Sequence, residues 1–197
     1  MAIVPETSTM DRHRERMLEG LAASIREQGL ARTQVTDIVR HARASRTTFY
    51  KCFADKESCF IELVRVTTTV GLEAVENAVD PAAPWERQVA DGVRAYFDAL
   101  TAEPAIAVAV TRDLASLGTR GITVQQEGIE RYAELLCRLT RGSRLRRAGV
   151  RPLSMHAAVL LIAGINTMVA RAIDRGEPIG ELLPTAERAV MGMLAPA

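Results

Sequence analysis

The chain has little of what a disulfide scaffold, a metalloenzyme or a membrane protein needs. Three cysteines stand in 197 residues, an odd number with no CxxC pair. Cys52 and Cys59 lie seven apart, but His41 alone is too thin a companion for a tetrahedral metal site. Buried, reduced thiols are the expectation, and with them a reducing cytoplasm. His13, His41 and His156 have no Cys or Ser at a telling spacing, and HExxH, paired glutamates and a glycine-rich phosphate loop are all missing. The chain is therefore expected to be no enzyme, with no catalytic residue, no metal and no cofactor. The most apolar run, Ala157 to Ala170, is about 14 residues, contains Asn166 and is too short to span a bilayer. The first residues lack the basic and apolar regions of a secretory leader. No membrane partner is expected, and the localisation inferred is cytoplasmic.

Aromatic residues are also scarce, at 4%, and no stretch of length alternates apolar with polar at period two. Helix formers fill the chain instead, and 48% hydrophobic against 25% charged residues is the balance of a packed domain. An all-α fold follows. Residues 1–10 are expected to be a disordered arm. Asp11 to Gln28 reads as a first helix with Met17, Leu18, Leu21, Ala22 and Ile25 on one stripe, ended by Gly29. A helix from Lys56 to about Ala78 follows an Asp55 cap signal and ends before Asp80-Pro-Ala-Ala-Pro84. Further helices are expected over Pro84–Thr101, from Glu103-Pro104 to about Leu117, Ile122–Leu139, Leu153–Arg175 and Leu182–Ala195. A basic loop covers Arg141 to Pro152. The count comes to about nine.

Net charge is only +1, which on its face argues against a nucleic-acid partner. Its distribution argues the other way. Residues 32–56 hold six basic side chains (Arg32, Arg40, Arg43, Arg46, Lys51, Lys56) against Asp37 and Asp55, a local charge of +4, so the remainder sums to −3. Phosphate attraction needs such a concentration, although a short basic stretch can equally be a solvated face.

Two short amphipathic helices occupy that segment. Val35, Ile38, Val39 and Ala42 face inward from one, and Phe49 and Phe53 from the other, with about three residues between them. Ser45 is placed to cap the second helix, leaving Arg46, Thr47, Tyr50 and Lys51 on its outer face. In a helix-turn-helix the second helix enters the major groove and shows its first turn to base edges. Arg46 suits guanine, Thr47 and Thr48 a thymine methyl or a phosphate, and Tyr50 and Lys51 the backbone. Lys56 adds charge at the start of the next helix. An ordinary helical hairpin in a bundle is the alternative at this point.

The pattern Gly29, Thr33, Val35, Ile38, Ala42, Ser45, Thr48-Phe49-Tyr50, Phe53 and Lys56-Glu57 resembles the amino-terminal DNA-binding domain of the TetR family of one-component transcriptional regulators. The resemblance is specific over about residues 14–62. It implies that Thr33 caps the second helix and touches phosphate, that Ser45 to Thr48 approach bases, and that Tyr50 and Lys56 grip the DNA backbone. Two departures stand out. Arg43 replaces the family's turn glycine, so either a non-glycine sits at positive φ for about 1 kcal/mol or the turn differs slightly, and Arg43 adds charge near the DNA. Cys59 replaces a leucine, a smaller plug at the start of the fourth helix.

The same resemblance implies a helix-turn-helix domain over residues 11–60 and a helical regulatory and dimerisation domain over 61–197. The function it implies is a repressor, released from a near-palindromic operator by a small apolar effector; the alternative is a helical ligand- or partner-binding module that has lost DNA binding. A homodimer through the last two helices is expected. Its stripes would be Met155, Val159, Ile162, Ile165 or Asn166, and Val169, with Ala163 and Gly164 permitting close approach, and Leu182, Leu183, Ala186, Val190 and Leu194. Candidate effector-pocket residues are Trp85, Phe97, Leu100, Tyr132, Leu136 and Met168, with Asn166 as the polar orienting group.

Overall fold

The computed structural model describes residues 9–195, and every regular element among them is helical. Ten α-helices run α1 (Thr9–Gln28), α2 (Val35–His41), α3 (Arg46–Cys52), α4 (Lys56–Ala78), α5 (Trp85–Ala102), α6 (Pro104–Asp113), α7 (Thr119–Thr140), α8 (Ser143–Arg147), α9 (Met155–Arg175) and α10 (Leu183–Leu194). Short 3-10 turns, Leu114–Leu117 and Ile179–Leu182, precede α7 and α10. The chain divides into two compact units, one ending at Val66 and the next beginning at Thr67, so α4 runs through the boundary.

Most boundaries fall where local chemistry puts them. Gly29 ends α1 at φ +80, its N–H closing on the Ile25 carbonyl at 2.8 Å. Asp55 accepts from the backbone N–H of Ser58 and so starts α4. Pro104 opens α6 at its first turn. Some expectations need correction. Of the expected arm over residues 1–10, residues 1–8 lie outside the described residues, while Thr9 and Met10 are already helical. The basic loop contains the one-turn helix α8, anchored by buried Leu145.

In the first unit Met17, Leu21 and Ile25 of α1 are buried, as are Ile38, Phe49, Phe53 and Phe60. Helices α1 and α2 approach so closely at Gly20 that a Cβ there would stand 2.5 Å from the Ile38 carbonyl oxygen and 3.0 Å from the Ala42 nitrogen. Arg14 ties the ends together: it donates to the Cys52 carbonyl at 2.8 Å, pairs with Glu62 at 3.6 Å and lies 4.6 Å over the Phe53 ring. Cys52, Cys59 and Cys137 are buried free thiols, and burial pushes the Cys59 thiol up to about 12.

In the second unit α7 packs on α9 and α5 on α10. Tyr96, Phe97, Leu135, Leu161, Ile165, Val169, Val190 and Leu194 form the centre. Helix α9 has the length and apolarity of a bilayer-crossing helix, which the shorter apolar run concealed, and only 33% of its apolar window is buried. Its stripe of Ile162, Ile165 and Val169 is buried, as are Ala186, Val190 and Leu194 of α10. Of the residues read as a dimer seam, these six serve this chain's own core, whereas Met155 is exposed and Val159, Leu182 and Leu183 are half-buried. The faces left outside carry Leu160, Gly164 and Thr167 on α9, and Ala189, Gly192 and Met193 on α10.

Candidate nucleic-acid interface and effector cavity

Ser45 has extended backbone (φ −95, ψ 156), and its hydroxyl accepts from the Thr48 N–H at 3.0 Å, which fixes where α3 begins. Phe49 is fully buried and Phe53 nearly so, their rings 5.9 Å apart, and they set the rotation of the helix. With that rotation Arg46, Thr47, Tyr50 and Lys51 are exposed, Tyr50 at 51%. Thr48 is half-buried, its hydroxyl 2.9 Å from that of Ser45. No acidic residue lies between Asp37 and Asp55, so cations dominate this surface.

Arg43 stands exposed in the turn at φ +48, the one non-glycine residue at positive φ among the described residues. Arg16 of α1 donates to the carbonyls of Ala42 and Arg43, holding the turn in a conformation glycine would adopt more cheaply. The second helix is pinned by charge on its far side. Glu27 receives Arg40 at 3.1 Å and His41 at 2.9 Å, and these hydrogen bonds, Arg40 first, hold its carboxyl below the usual range.

Thr33 requires a correction. It does not cap α2: that place belongs to Gln34, whose N–H donates to Asp37 at 2.9 Å and draws that carboxyl down. Thr33 is fully buried, its hydroxyl bonded to Ser24 and to the Gly29 carbonyl, each at 2.9 Å. Two hydroxyls satisfying one another inside a core draw this side chain inward, away from the surface a phosphate would reach. Lys56 is half-buried, and its ammonium donates to the carbonyls of Leu30 at 3.1 Å and Thr33 at 3.0 Å, bracing the α1–α2 connection. Sequence reasoning missed Arg16, Gly20 and Ser24, because nothing in their spacing announces a partner at a distance along the chain.

The second unit holds a cavity of about 80 Å³, partly open to its surface and bordered by α4, α5, α7, α8, α9 and α10. Valines and leucines make most of its wall, and no charged side chain lines it. Of the residues expected there, Tyr132 and Leu136 line it. Phe97 is buried in the core, and Trp85, Leu100 and Met168 pack against that core without reaching the cavity. The reason is helical phase. Helix α5 turns Val89, Gly92, Val93 and Tyr96 to the cavity, and Phe97 and Leu100 follow on the next face. Asn166 also lies outside the lining, its side-chain oxygen accepting from the phenol of Tyr96. Burial raises both phenols, Tyr132 to about 12. Their rings meet edge to face at 4.9 Å.

Residues 18–63 match the family model for bacterial regulatory proteins of the tetR family. No curated protein sequence matches the chain. Several solved structures share its fold at low identity. The transcriptional regulator FadR from Bacillus subtilis, in complex with stearoyl-CoA, superposes with a TM-score of 0.73 at 17% identity, over 92% of this chain and 99% of that one. The fatty acid degradation regulator FadR from Bacillus halodurans gives 0.71 at 19%, over 94% and 99%. Regulatory protein TetR from Rhodobacter sphaeroides gives 0.69 at 15%, over 93% and 99%. The region that builds the helix-turn-helix is the region the family model recognises, so this segment is similar to the DNA-binding part of bacterial regulatory proteins of the tetR family.

Proposed function

We propose that the protein is a cytoplasmic, homodimeric transcriptional repressor that reads a near-palindromic operator through α3 and leaves it when a small apolar effector enters the second unit. One observation carries the reading: Phe49 and Phe53 are buried while Arg46, Thr47, Tyr50 and Lys51 of the same two-turn helix are exposed. In this assignment Ser45, Arg46, Thr47 and Thr48 face bases, and Arg43, Tyr50 and Lys51 hold phosphates. Lys56 positions the head from behind, and Thr33 acts only through the core.

Support for a dimer comes from the outer faces of α9 and α10. Leu160 is 64% exposed, Met193 is exposed beside it in kind, and a Cβ at Gly164 or Gly192 would meet nothing within 4 Å. Small residues with apolar neighbours let two helices approach closely, as a pair of subunits sharing one operator requires. Each subunit then reads one half-site.

Support for the effector comes from the uncharged cavity. At about 80 Å³ it is smaller than the roughly 300–1,000 Å³ of ligand clefts, so a larger apolar occupant must part the helices around it. Such an occupant prefers the parted state, and that differential affinity is what lowers DNA affinity. The FadR complex with stearoyl-CoA shows the same fold holding a molecule with a long hydrocarbon chain.

The test is binding to the DNA upstream of the protein's own gene across a salt series. Specific dimer binding falls steeply as salt rises. Absent or salt-insensitive binding to every such fragment would overturn the reading and leave a helical module that no longer reads DNA.

A further inference from the structure

The cavity's polar groups are few enough to count. Gln88 is buried with its amide N–H groups committed to the carbonyls of Pro81 at 3.3 Å and Ala83 at 2.9 Å. Its remaining oxygen only accepts. Thr140 donates to the Cys137 carbonyl and accepts from the Leu153 N–H, both at 3.2 Å. Tyr96 donates to Asn166. Tyr132 alone of the four has no hydrogen-bond partner among the described residues, and its phenol ends against Gly71 of α4, where a Cβ would stand 2.2 Å from the oxygen.

The wall therefore offers one uncommitted donor, Tyr132, and no cation. A carboxylate would enter with no counter-charge, which is costly in an apolar surround. A pure hydrocarbon would leave the phenol unpaired. A neutral chain with one oxygen acceptor satisfies both conditions.

We propose that Tyr132 is the specificity-determining donor of this cavity, and that the effector is an uncharged, mainly hydrocarbon molecule bearing a carbonyl or similar acceptor, such as an ester, thioester or ketone. This rests on the effector-cavity reading above and narrows it to a ligand class and a residue. Gly71 has a part in it, since the phenol reaches its position only over a residue without a side chain.

The experiment titrates the full-length protein with n-nonane, methyl octanoate and sodium octanoate at pH 8. The readout is the fluorescence of Trp85, the single tryptophan, which packs against the surrounding core. Tyr132→Phe is expected to weaken methyl octanoate about fivefold, the value of one net hydrogen bond, and to leave nonane unchanged. Gly71→Ala, which displaces the phenol by another route, should act in the same direction, and it keeps the test open if Tyr132→Phe unfolds. Octanoate should bind more weakly than its ester. Equal effects of Tyr132→Phe on nonane and ester, or octanoate binding tightest, overturn this inference while leaving the cavity as a ligand site. Failure of nonane and ester alike to bind overturns the cavity reading and this inference with it.

Discussion

The guanidinium of Arg16 donates to the main-chain carbonyl of Arg43 at 2.7 Å, so one arginine stabilises the strained turn that another occupies. A non-glycine at φ +48 costs about 1 kcal/mol, and the clamp from α1 offsets it. Arg43→Gly should therefore raise stability by up to about 1 kcal/mol in urea denaturation, less the extra chain entropy of glycine. Should Arg43 also hold phosphate, the same change lowers the salt slope of DNA binding by about one.

Arg16→Ala removes donors from two carbonyls and should cost about 1–2 kcal/mol. In the Arg43→Gly background the loss should shrink, because a turn without strain needs the clamp less. A double-mutant cycle in urea reads the coupling directly; strict additivity would show that the clamp and the strained residue are independent.

Gly20→Ala should be more damaging than its single methyl suggests. The new Cβ meets backbone at 2.5 and 3.0 Å, and backbone cannot rotate away as a side chain can. A loss of about 1–3 kcal/mol by overpacking is expected, with DNA affinity falling as α2 is displaced. Thermal melting of the purified variant checks the first part and gel-shift titration the second.

On the reading head, Arg46→Ala and Lys51→Ala should separate two kinds of contact. Loss of Arg46 is expected to cost about 1–3 kcal/mol on the preferred operator and to relax its sequence preference. Loss of Lys51 should weaken all sequences alike and reduce the salt slope by about one. Competition binding with scrambled half-sites distinguishes them.

Alkali should destabilise the protein through groups that burial keeps protonated. Tyr132 and Cys59 are raised to about 12, from ordinary values of 10.0 and 9.0. In each case the unfolded chain releases its proton first. The stabilisation is whole below the unfolded value and is lost as pH climbs toward about 12. Each group contributes a slope of about 1.4 kcal/mol per pH unit within its window. Tyr132→Phe should lessen the slope of stability between pH 10 and 12 by about 1.4 kcal/mol per pH unit, measured by urea midpoints, while Cys59 and Tyr96 keep the remaining slope there and the interval from 9 to 10 belongs to Cys59.

Local chemistry was enough to place most of the helices and the reading head. Ser45 caps its own helix, Asp55 starts α4, Gly29 ends α1, and the spacing of Phe49 and Phe53 alone decides which side of α3 faces out. Those features act within about a turn of the residue that causes them, so the order of residues contains them. Partners far along the chain are another matter. Thr33 has the chemistry of a cap, and only Ser24, brought alongside by the packing of α1 on the α1–α2 connection, draws it inside and leaves Gln34 in its place. The stripe of Ile162, Ile165 and Val169 is apolar whether it meets a second subunit or its own core, and hydrophobic periodicity does not say which. Tertiary packing made it core and left Leu160 and Gly164 outside. It also set the phase of α5, which put Tyr96 rather than Phe97 on the cavity, because the rotation of a buried helix answers to all its neighbours at once.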